Sequence, residues 1–371
     1  AAVFGTAILG SNPSTPAKNM SLINKFFSTS KNLEDKSSSF KILKKTKEIL
    51  QLFSAIESYS ENSEVRYVGG CVRKALNNEV IDDIDFAVNL KPNECIEALK
   101  NHNIKYYETG IEHGTVTAII ENNKFEITSL RKDIFTDGRH AKVEFSNNWI
   151  EDASRRDFTI NSIYADINGN LYDPFNGKRD LKLGKVEFIG DIEKRIKEDY
   201  LRILRYIRFF LNYSKKDHKL NVKKIIKQNI NGVIKLSKER LIDELKKLVI
   251  SNGFIKICDD EFCIEILLLI FPQLKNIDVI KKIKKNHKKE LINKDFIFLL
   301  SLLIVDETDN SEFFLYKFQM SNEAKSRINF IKEIYNKFDD KNTFSKKNLQ
   351  KIFYYQGKKY LIDALDFKLF L

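Results

Sequence analysis

The chain of 371 residues carries 63 basic and 51 acidic side chains, which gives a formal net charge of +12. Hydrophobic residues at 43% and charged residues at 31% exclude wholesale disorder and collagen-like or mucin-like chains, and the length suits one large or two to three smaller folded units. The longest apolar run, residues 296–305, is about half of the roughly 20 residues that a membrane span needs, so we expect a soluble protein. The charge fits either a polyanionic partner or the lysine-rich composition of an AT-rich genome, and both explanations stay open.

The first part of the chain has a composition of its own. Residues 1–19 are mostly small and polar, and we interpret them as a vector-derived leader ahead of a native start at Met20. A cleaved targeting peptide is the alternative, although no basic residue precedes Lys18. Residues 20–44 are predicted to be flexible, because they include a serine-rich stretch. From about 40 to 57, apolar residues recur at helical spacing and predict the first helix.

The sequence pattern changes after Gly190. Before it, glycines and prolines separate short apolar runs, which predict a helix at 72–76 and strands at 65–68, 84–88, 104–109, 115–120, 124–130 and 142–145. After it, glycine and proline nearly vanish and the apolar residues take a helical period. The sequence therefore predicts an α+β fold, with a mixed sheet and helices in the amino-terminal half and only helices in the carboxy-terminal half.

The first polar cluster joins two glycines to two aspartates. Gly69 and Gly70 end a predicted strand and Arg73 follows in a helix, an arrangement that lets a phosphate approach the backbone. Asp83 and Asp85 are two residues apart, so on a strand they share a face and repel each other unless a divalent cation binds them. The pattern suits nucleotidyl transfer, but a polar turn with solvated aspartates is the alternative.

The second cluster, residues 152–161, interleaves charged and apolar side chains. Arg156 is of the type that binds phosphate oxygens, and Asp157 with Asn161 would hydrogen-bond ribose hydroxyls. A salt-bridged helix start is the alternative interpretation.

The third cluster, residues 198–208, is predicted to lie in the first helix of the carboxy-terminal half. Asp199 and Arg202 share a helical face there. Asp199 offers an acceptor and Arg202 a fork of donors, so together they would pair with the edge of a nucleobase. A surface ion pair between the two side chains is the alternative.

Together these clusters belong to a longer set of motifs in a fixed order. The set comprises GGCVR…DIDF, TGIEHGTVT (109–117), FEITSLR (125–131), DGRHAKVEF (137–145), DASRRDFTINS (152–162), YDPFNGKRDL (172–181), EDYLRILRYIRF (198–209) and SKER with EL at 237–245. It resembles the class II tRNA nucleotidyltransferases, the CCA-adding enzymes of bacteria and mitochondria, within the DNA polymerase β-like superfamily. The resemblance covers roughly residues 45–250.

The resemblance implies a role for each matched residue. Asp83 and Asp85 correspond to the carboxylates that bind catalytic Mg²⁺, and Glu126 is our candidate for a third carboxylate from a neighbouring strand, with a solvent-facing strand residue as the alternative. The positions implied to bind the nucleotide serve its triphosphate, its ribose or its base. They are Gly69, Gly70, Arg73, Arg156, Asp157, Asn161, Asp199, Arg202, Arg205 and Arg208, of which Asp199 and Arg202 are expected to read the base.

The resemblance also implies a domain order, substrates and partners. Residues 45–190 would be the catalytic head, 191–250 a neck that recognises the nucleobase, and 251–371 a body and tail that bind tRNA. The substrates would be tRNA, CTP and ATP, with no membrane and no stable protein partner implied. The location would be the cytoplasm of a bacterial-type cell or an organellar matrix, not the secreted space, and cysteines without a CxxC pair agree with a reducing compartment.

The family also contains CC-adding enzymes, A-adding enzymes and poly(A) polymerases. The segment 108–149, which CC-adding relatives shorten, shows no deletion, and the basic stretch typical of poly(A) polymerases is absent from it. We therefore predict full CCA addition, with partial addition, poly(A) synthesis and an inactive RNA-binding module as alternatives.

Several residues depart from the family pattern or carry a second interpretation. Lys74 stands where the family usually has Asp, and Asn77-Asn78 stands where it usually has Leu-Gly. These differences make the exact position of Arg73 less secure. We expect His113 and His140 to be structural histidines. The lysine pairs at 281–282, 284–285 and 288–289 would either contact tRNA or form a solvated helix face.

Overall fold

The computed structural model describes residues 46–371 except 137–140, 284–286, 288–289 and 292. The predictions for residues 1–45, for His140 and for the lysines at 284–285 and 288–289 lie outside the described residues. Within the described part of the chain, no helix is both long enough and apolar enough to cross a membrane.

The amino-terminal half is built on a mixed sheet, as the sequence predicts. Among the described residues, seven strands form it in the order β3-β4-β5-β2-β1-β8-β9, and β2 and β5 are its parallel neighbours. The strands are β1 (Val65–Val68), β2 (Asp85–Val88), β3 (Lys105–Gly110), β4 (Thr115–Ile120), β5 (Asn123–Ser129), β8 (Tyr164–Ala165) and β9 (Leu171–Tyr172). A separate hairpin pairs β6 (Arg131–Thr136) with β7 (Ala141–Phe145). In the described part of this half, five helices accompany the strands: α1 (Lys47–Glu57), α2 (Gly70–Leu76), α3 (Pro92–Asn101), α4 (Trp149–Ser154) and α5 (Gly177–Leu183).

Helices make up the regular structure of the described residues after Gly190. They are α6 (Ile192–Glu198), α7 (Leu201–Tyr213), α8 (Leu220–Asn229), α9 (Lys238–Val249), α10 (Glu261–Ile270), α11 (Val279–Lys282), α12 (Phe296–Ile304), α13 (Asn310–Lys317), α14 (Asn322–Tyr335), α15 (Lys346–Gln356) and α16 (Lys358–Phe370), with 3₁₀ turns between some of them. Several begin at a side chain that accepts a hydrogen bond from the backbone two or three residues into the helix, as Ser237 does for α9 and Asp260 for α10. The predicted change from sheet to helix is confirmed.

The described residues contain two large apolar cores and one small one, and one of the large cores joins the two halves. One lies on the sheet and includes an aromatic chain in which Tyr67 and Phe86 pack with ring centroids 5.1 Å apart. The other runs through the helices, and Phe158 and Phe188 from the amino-terminal half belong to it. Because one core contains residues from both halves, α7 lies directly against the segment that carries the second polar cluster.

Candidate active site

A polar cleft of about 510 Å³ lies between the end of β1, the segment after α4, and helices α7 and α9. Seven of the described side chains that line it are basic and three are acidic. The lining residues are Gly69, Gly70, Arg73, Asp85, Arg155, Arg156, Asp157, Asn161, Asp199, Arg202, Arg205, Arg208, Phe209 and Lys247. The three polar clusters of the sequence therefore meet in one cleft.

The glycine turn lets two elements approach closely. Gly69 has φ of +69°, a backbone conformation that favours glycine, and a Cβ there would stand 3.5 Å from Nη1 of Arg156. The next residues start α2, in which the buried Cys71 donates to the carbonyl oxygen of Val68 at 3.3 Å. Burial raises the pKa of the Cys71 thiol to about 11, so this cysteine is a packed thiol and not a nucleophile.

The three carboxylates proposed for metal binding lie near one another, but only Asp85 lines the cleft. Asp85 starts β2 and is paired in register with Glu126 on the parallel strand β5, where Glu126 is exposed, while Asp83 is exposed in the loop before β2. Burial raises the pKa of Asp85 to about 6, and the like charges of Asp83 and Glu126 act in the same direction against Arg156. The ligand oxygens of the three side chains do not all lie within 4.8 Å of one another, so in the described residues they do not form a closed ligand set.

Arg73 is fixed from two sides. Its guanidinium donates to Oδ1 of Asn161, and it lies over the rings of Phe209 and Tyr213 at 4.8 and 5.0 Å from their centroids. Asn161 in turn donates to Oδ1 of Asp157 at 2.8 Å. The first and second clusters are thus connected by direct hydrogen bonds.

Asp157 is the buried acid at the centre of this network. Its Oδ2 accepts from Nε of Arg205 at 2.7 Å, and Nη2 of Arg205 is 2.6 Å away. Burial alone would raise the pKa of Asp157, but the charge of Arg205 and the hydrogen bonds from Asn161 and Arg205 outweigh it and lower the pKa to about 2. Asp157 is therefore charged at neutral pH and orients Arg205 toward the cleft.

Other arginines of the cleft are held by acids in the same way. Arg156 donates to Oδ2 of Asp152 at 2.9 Å and to the hydroxyl of Tyr164 at 3.1 Å. Burial opposes the charge of Asp152, but Arg156 and then Arg155 hold the pKa of that carboxyl well below its usual range. A further pair joins Arg208 to the buried Glu244 at 2.6 Å.

The third cluster differs from its prediction in one respect. Asp199 is extended, α6 ends before it, and α7 begins at Leu201, because the Asp199 side chain accepts from the backbone N–H of Leu201 at 3.1 Å. The expectation that residues 198–208 form one helix, the first of this half, is wrong at this point. From Arg202 onward α7 presents arginines at every third position, so Arg202, Arg205 and Arg208 lie on one face toward the cleft.

Asp199 and Arg202 face the same cleft but have different partners. Oδ2 of Asp199 accepts from Nη2 of Arg240 on α9 at 2.7 Å. Nη1 of Arg202 donates to the carboxylate of Glu198 at 2.7 Å and to the carbonyl oxygen of Arg195 at 2.6 Å. The i,i+3 ion pair that was the alternative interpretation is therefore not formed.

The sequence analysis missed some residues of the site. Arg195 is buried and donates to the carbonyl oxygens of Arg155 and Arg156, at 2.6 Å for the latter, which anchors the second cluster to α6. Arg155, Phe209 and Lys247 line the cleft, and the first two adjoin residues that the motifs had identified. Local spacing carries no signal for Arg195, whose partners are about 40 residues away.

Lys74 and Asn77, which depart from the family pattern, are not among the described residues that line the cleft. Lys74 donates to the carboxylate of Asp82, and Asn77 donates to Glu79. His113 ends a 3₁₀ turn, and its carbonyl oxygen accepts from the Arg131 side chain.

Comparison with known proteins supports one family. The model of the "Poly A polymerase head domain" matches residues 65–187. A CCA-adding enzyme of Staphylococcus haemolyticus is 33% identical over 313 residues, covering 81% of this chain and 72% of that protein. The mitochondrial CCA tRNA nucleotidyltransferase 1 of Homo sapiens is 46% identical over 195 residues, covering 52% of this chain and 45% of that protein. The chain spans about half the length of this relative and of its zebrafish and mouse counterparts.

Solved structures share the fold. A Bacillus stearothermophilus CCA-adding enzyme in complex with CTP superposes with a TM-score of 0.68 over 90% of this chain and 78% of that chain, at 20% identity. A tRNA nucleotidyltransferase with a primer tRNA and an incoming ATP analog gives a TM-score of 0.65 over 85% of this chain and 94% of that chain, at 23% identity.

Proposed function

Since this chain belongs to the class II tRNA nucleotidyltransferases, the family of the CCA-adding enzymes, we propose that it adds CCA to the 3′ end of tRNA from CTP and ATP without a nucleic-acid template. The observation that carries the proposal is the convergence of the three motif clusters on one cleft with an excess of basic side chains. A nucleoside triphosphate is a small polyanion, and such a cleft suits its phosphates.

In the proposed reaction the 3′-hydroxyl oxygen of tRNA attacks the α-phosphorus of the nucleotide. One P–O bond forms, the O–H bond of the attacking hydroxyl and the bond between the α-phosphorus and the bridging oxygen break, and pyrophosphate and a proton leave. Arg73 and Arg156 adjoin the Gly69-Gly70 turn and would hold the triphosphate, with Arg205 and Arg208 on the facing helix. Since Asp157 and Glu244 already orient these arginines, little reorganisation accompanies binding.

The three carboxylates at the cleft edge support a metal-binding role. Asp83 and Asp85 would hold Mg²⁺ and Glu126 would complete the oxygen-donor set, in line with its register position beside Asp85. When bound, the cation supplies positive charge for the attacking hydroxyl and for the departing pyrophosphate. The protein would supply carboxylates that repel one another near the cleft edge, and the cation would draw their oxygens together.

Base selection is proposed for Asp199 and Arg202. Cytosine and adenine both present an exocyclic amino group beside a ring nitrogen, which match one acceptor and one donor. Each carboxylate oxygen has a second lone pair and a guanidinium has five N–H donors, so the contacts to Arg240 and Glu198 leave capacity for a base. Those contacts would hold both side chains at the angle that the base requires.

We also propose the domain division that the sequence predicts. Residues 45–190 would supply the catalytic head and 191–250 the neck, since the cleft is lined by both. Residues 251–371 would bind the tRNA body. We propose the cytoplasm or an organellar matrix as the location, on the basis of the four cysteines, none of which is in a disulfide, and of the mitochondrial relatives.

The proposal is tested with a tRNA transcript that lacks its CCA end. The protein is incubated with this tRNA, Mg²⁺ and each labelled nucleotide, singly and in combination, and the products are separated at single-nucleotide resolution. We expect two C residues from CTP and one A when ATP is added.

The other outcomes separate the alternatives. Failure to incorporate CTP or ATP would contradict the nucleotidyltransferase proposal. C addition without A would indicate a CC-adding enzyme, A addition restricted to tRNA that ends in CC would indicate an A-adding enzyme, and long A tails would indicate a poly(A) polymerase.

A further inference from the structure

A second cluster of polar side chains lies apart from the cleft. His218 belongs to the loop between α7 and α8, Asp260 precedes α10, and Cys263 lies in the first turn of α10. Nε2 of His218 is 2.9 Å from Oδ2 of Asp260 and 3.6 Å from Sγ of Cys263, and the three atoms all lie within 4.8 Å of one another. Neither the sequence motifs nor the proposed reaction accounts for this grouping.

The spacing of these atoms matches what a small tetrahedral ion requires. With metal–ligand bonds of about 2.0–2.3 Å, neighbouring ligands of a tetrahedral Zn²⁺ stand about 3.3–3.6 Å apart. The distances from His218 lie within about half an ångström of that range. Imidazole nitrogen, carboxylate oxygen and thiolate sulfur are together the ligand types that Zn²⁺ and Co²⁺ prefer, whereas Mg²⁺ takes oxygen ligands.

The surroundings hold the His218 ring in an orientation suited to a ligand. Nδ1 lies 2.9 Å from the hydroxyl of Tyr206, so an Nδ1–H that donates to this oxygen leaves the lone pair of Nε2 directed at Asp260 and Cys263. The ring also stacks on Phe210, with centroids 3.5 Å apart, and only 6% of the His218 side chain is exposed. Oδ1 of Asp260 accepts from the backbone N–H of Cys263, which turns Oδ2 toward His218.

The charges of the group are consistent with a cation. Burial, and then the charge of Asp260, raise the pKa of the Cys263 thiol, so without a metal the sulfur stays protonated. A bound divalent ion reverses this preference, and with one thiolate and one carboxylate the site becomes neutral overall. The ammonium of Lys223 is the basic group that acts on Cys263 from α8, and it opposes the thiol's raised pKa.

We propose that His218, Asp260 and Cys263 bind one zinc-type ion, separate from the catalytic magnesium site, with water at a fourth position. The ion would join the loop that follows α7 to the start of α10. It would therefore fasten the arginine-bearing helix of the cleft to the carboxy-terminal helices.

The test uses Co²⁺, because a cobalt–thiolate bond gives a charge-transfer absorption band in the near ultraviolet. Metal-free full-length protein is titrated with Co²⁺ in excess Mg²⁺, which occupies oxygen-only sites. We expect the band to saturate at one Co²⁺ per chain, to disappear when Zn²⁺ is added, and to be lost in Cys263→Ser. Cys258→Ser is the matched control, since Cys258 donates to the carbonyl oxygen of Ile277 and lies outside the group, and its band should be unchanged.

Thermal unfolding gives a second readout. Zn²⁺ should raise the melting temperature of the wild type and of Cys258→Ser by several degrees, and that of His218→Gln and Cys263→Ser by much less. If the wild-type protein shows no cobalt–thiolate band, the proposal is overturned whatever the variants show. A band that persists in folded Cys263→Ser also overturns it, and in either case His218 and Asp260 form only a hydrogen-bonded pair.

Discussion

Two arginines of the cleft are paired with buried acids, and these pairs affect the stability of the protein. Asp157 holds Arg205, and Glu244 holds Arg208. Leaving either acid without its partner would strand a buried charge, so breaking either pair should lower stability. The residue-scale consequence is that some changes in the cleft should be visible in the free energy of unfolding even without substrate.

Asp157→Asn should lower stability in a pH-dependent way. The pKa of Asp157 is about 2 in the folded chain against 3.8 for an ordinary aspartate, so its contribution is present above pH 4 and is lost as pH falls through the folded value. The shift corresponds to about 2 kcal/mol at pH 7 and to about half of that at pH 3. Urea unfolding of both proteins from pH 7 to pH 3 measures the difference.

Asp339→Asn is the control for that experiment, because Asp339 is exposed. Its stability should stay within about 0.5 kcal/mol of the wild type across the range. A difference between wild type and Asp157→Asn that does not shrink toward pH 3 would contradict the charge-pair explanation.

Replacing the carboxylates at the cleft edge should lower activity without lowering stability, in contrast to the replacement of Asp157. Asp85→Asn should lower kcat by about 10³-fold, because several kcal/mol of transition-state stabilisation are lost with the metal. Glu126→Gln should lower kcat by at least about tenfold if it completes the ligand set. The melting temperature of the metal-free protein should not fall in either variant, since each change removes one of three like charges.

Glu61→Gln serves as the control for the carboxylates, because Glu61 is exposed in the loop before β1. Its kcat and its tRNA affinity should equal those of the wild type. Full activity in Asp85→Asn would refute the metal assignment, and full activity in Glu126→Gln would leave Glu126 as a solvent-facing strand residue.

At the scale of elements, α7 depends on close packing from its other side. A 3₁₀ segment, Asn252–Asp259, lies against it, and the backbone N–H of Gly253 donates to Oδ1 of Asn212 at 3.0 Å. A Cβ on Gly253 would stand 2.5 Å from the carbonyl oxygen of Leu211, closer than any real contact allows. Neither backbone is free to move, because the two segments are in direct contact.

Gly253→Ala should therefore destabilise the protein by about 1–3 kcal/mol, the usual effect of overpacking. Denaturant unfolding at neutral pH is the measurement. Gly110→Ala is the matched control, since Gly110 is extended with φ of −173° and a Cβ there meets Thr115 at an ordinary 3.6 Å. Equal losses in the two variants would contradict the explanation by close contact, because the entropy effect of Gly→Ala alone is stabilising.

The elements that could be predicted from the sequence are those with a repeating pattern. β4 and β5 are long enough to show alternation, and their predicted bounds differ from the observed ones by at most one residue. β8 and β9 have two residues each, too few for a period, and β6 begins with polar residues, so all three were missed.

In the site too, local sequence patterns could be predicted and contacts between distant segments could not. Motif order predicted most of the side chains that line the cleft, because those residues occur in recognisable groups, but Asp83 and Glu126 are not among the lining residues. It did not predict that Arg240 would hold Asp199 across 41 residues, because a contact between distant segments depends on how whole helices pack. The break at Asp199 was also missed, since capping by its own side chain is a local competition that periodicity does not reveal.

At the scale of the whole molecule, a basic and aromatic surface lies far along the chain from the cleft. None of the side chains of α15, all of which the structure describes, is buried. A groove of about 920 Å³ runs beside it, and its lining includes Lys346, Lys347, Lys351, Phe353, Tyr354 and Tyr355. Lysines that neutralise phosphates beside aromatic faces that stack on unpaired bases are typical of RNA-binding surfaces.

If this surface holds the body of the tRNA, it should affect binding and not chemistry. The double variant Tyr354→Ala, Tyr355→Ala should weaken tRNA binding by about tenfold, since each stacked base contributes about 1–3 kcal/mol, while kcat at saturating tRNA stays within about twofold. Tyr316→Ala is the matched control, because Tyr316 on α13 and Tyr354 are both 81% exposed. Equal Kd values for tRNA in the double variant and the control would place the tRNA elsewhere, whereas a loss of binding confined to the double variant would show that substrate is held by a surface separate from the one that selects the nucleotide.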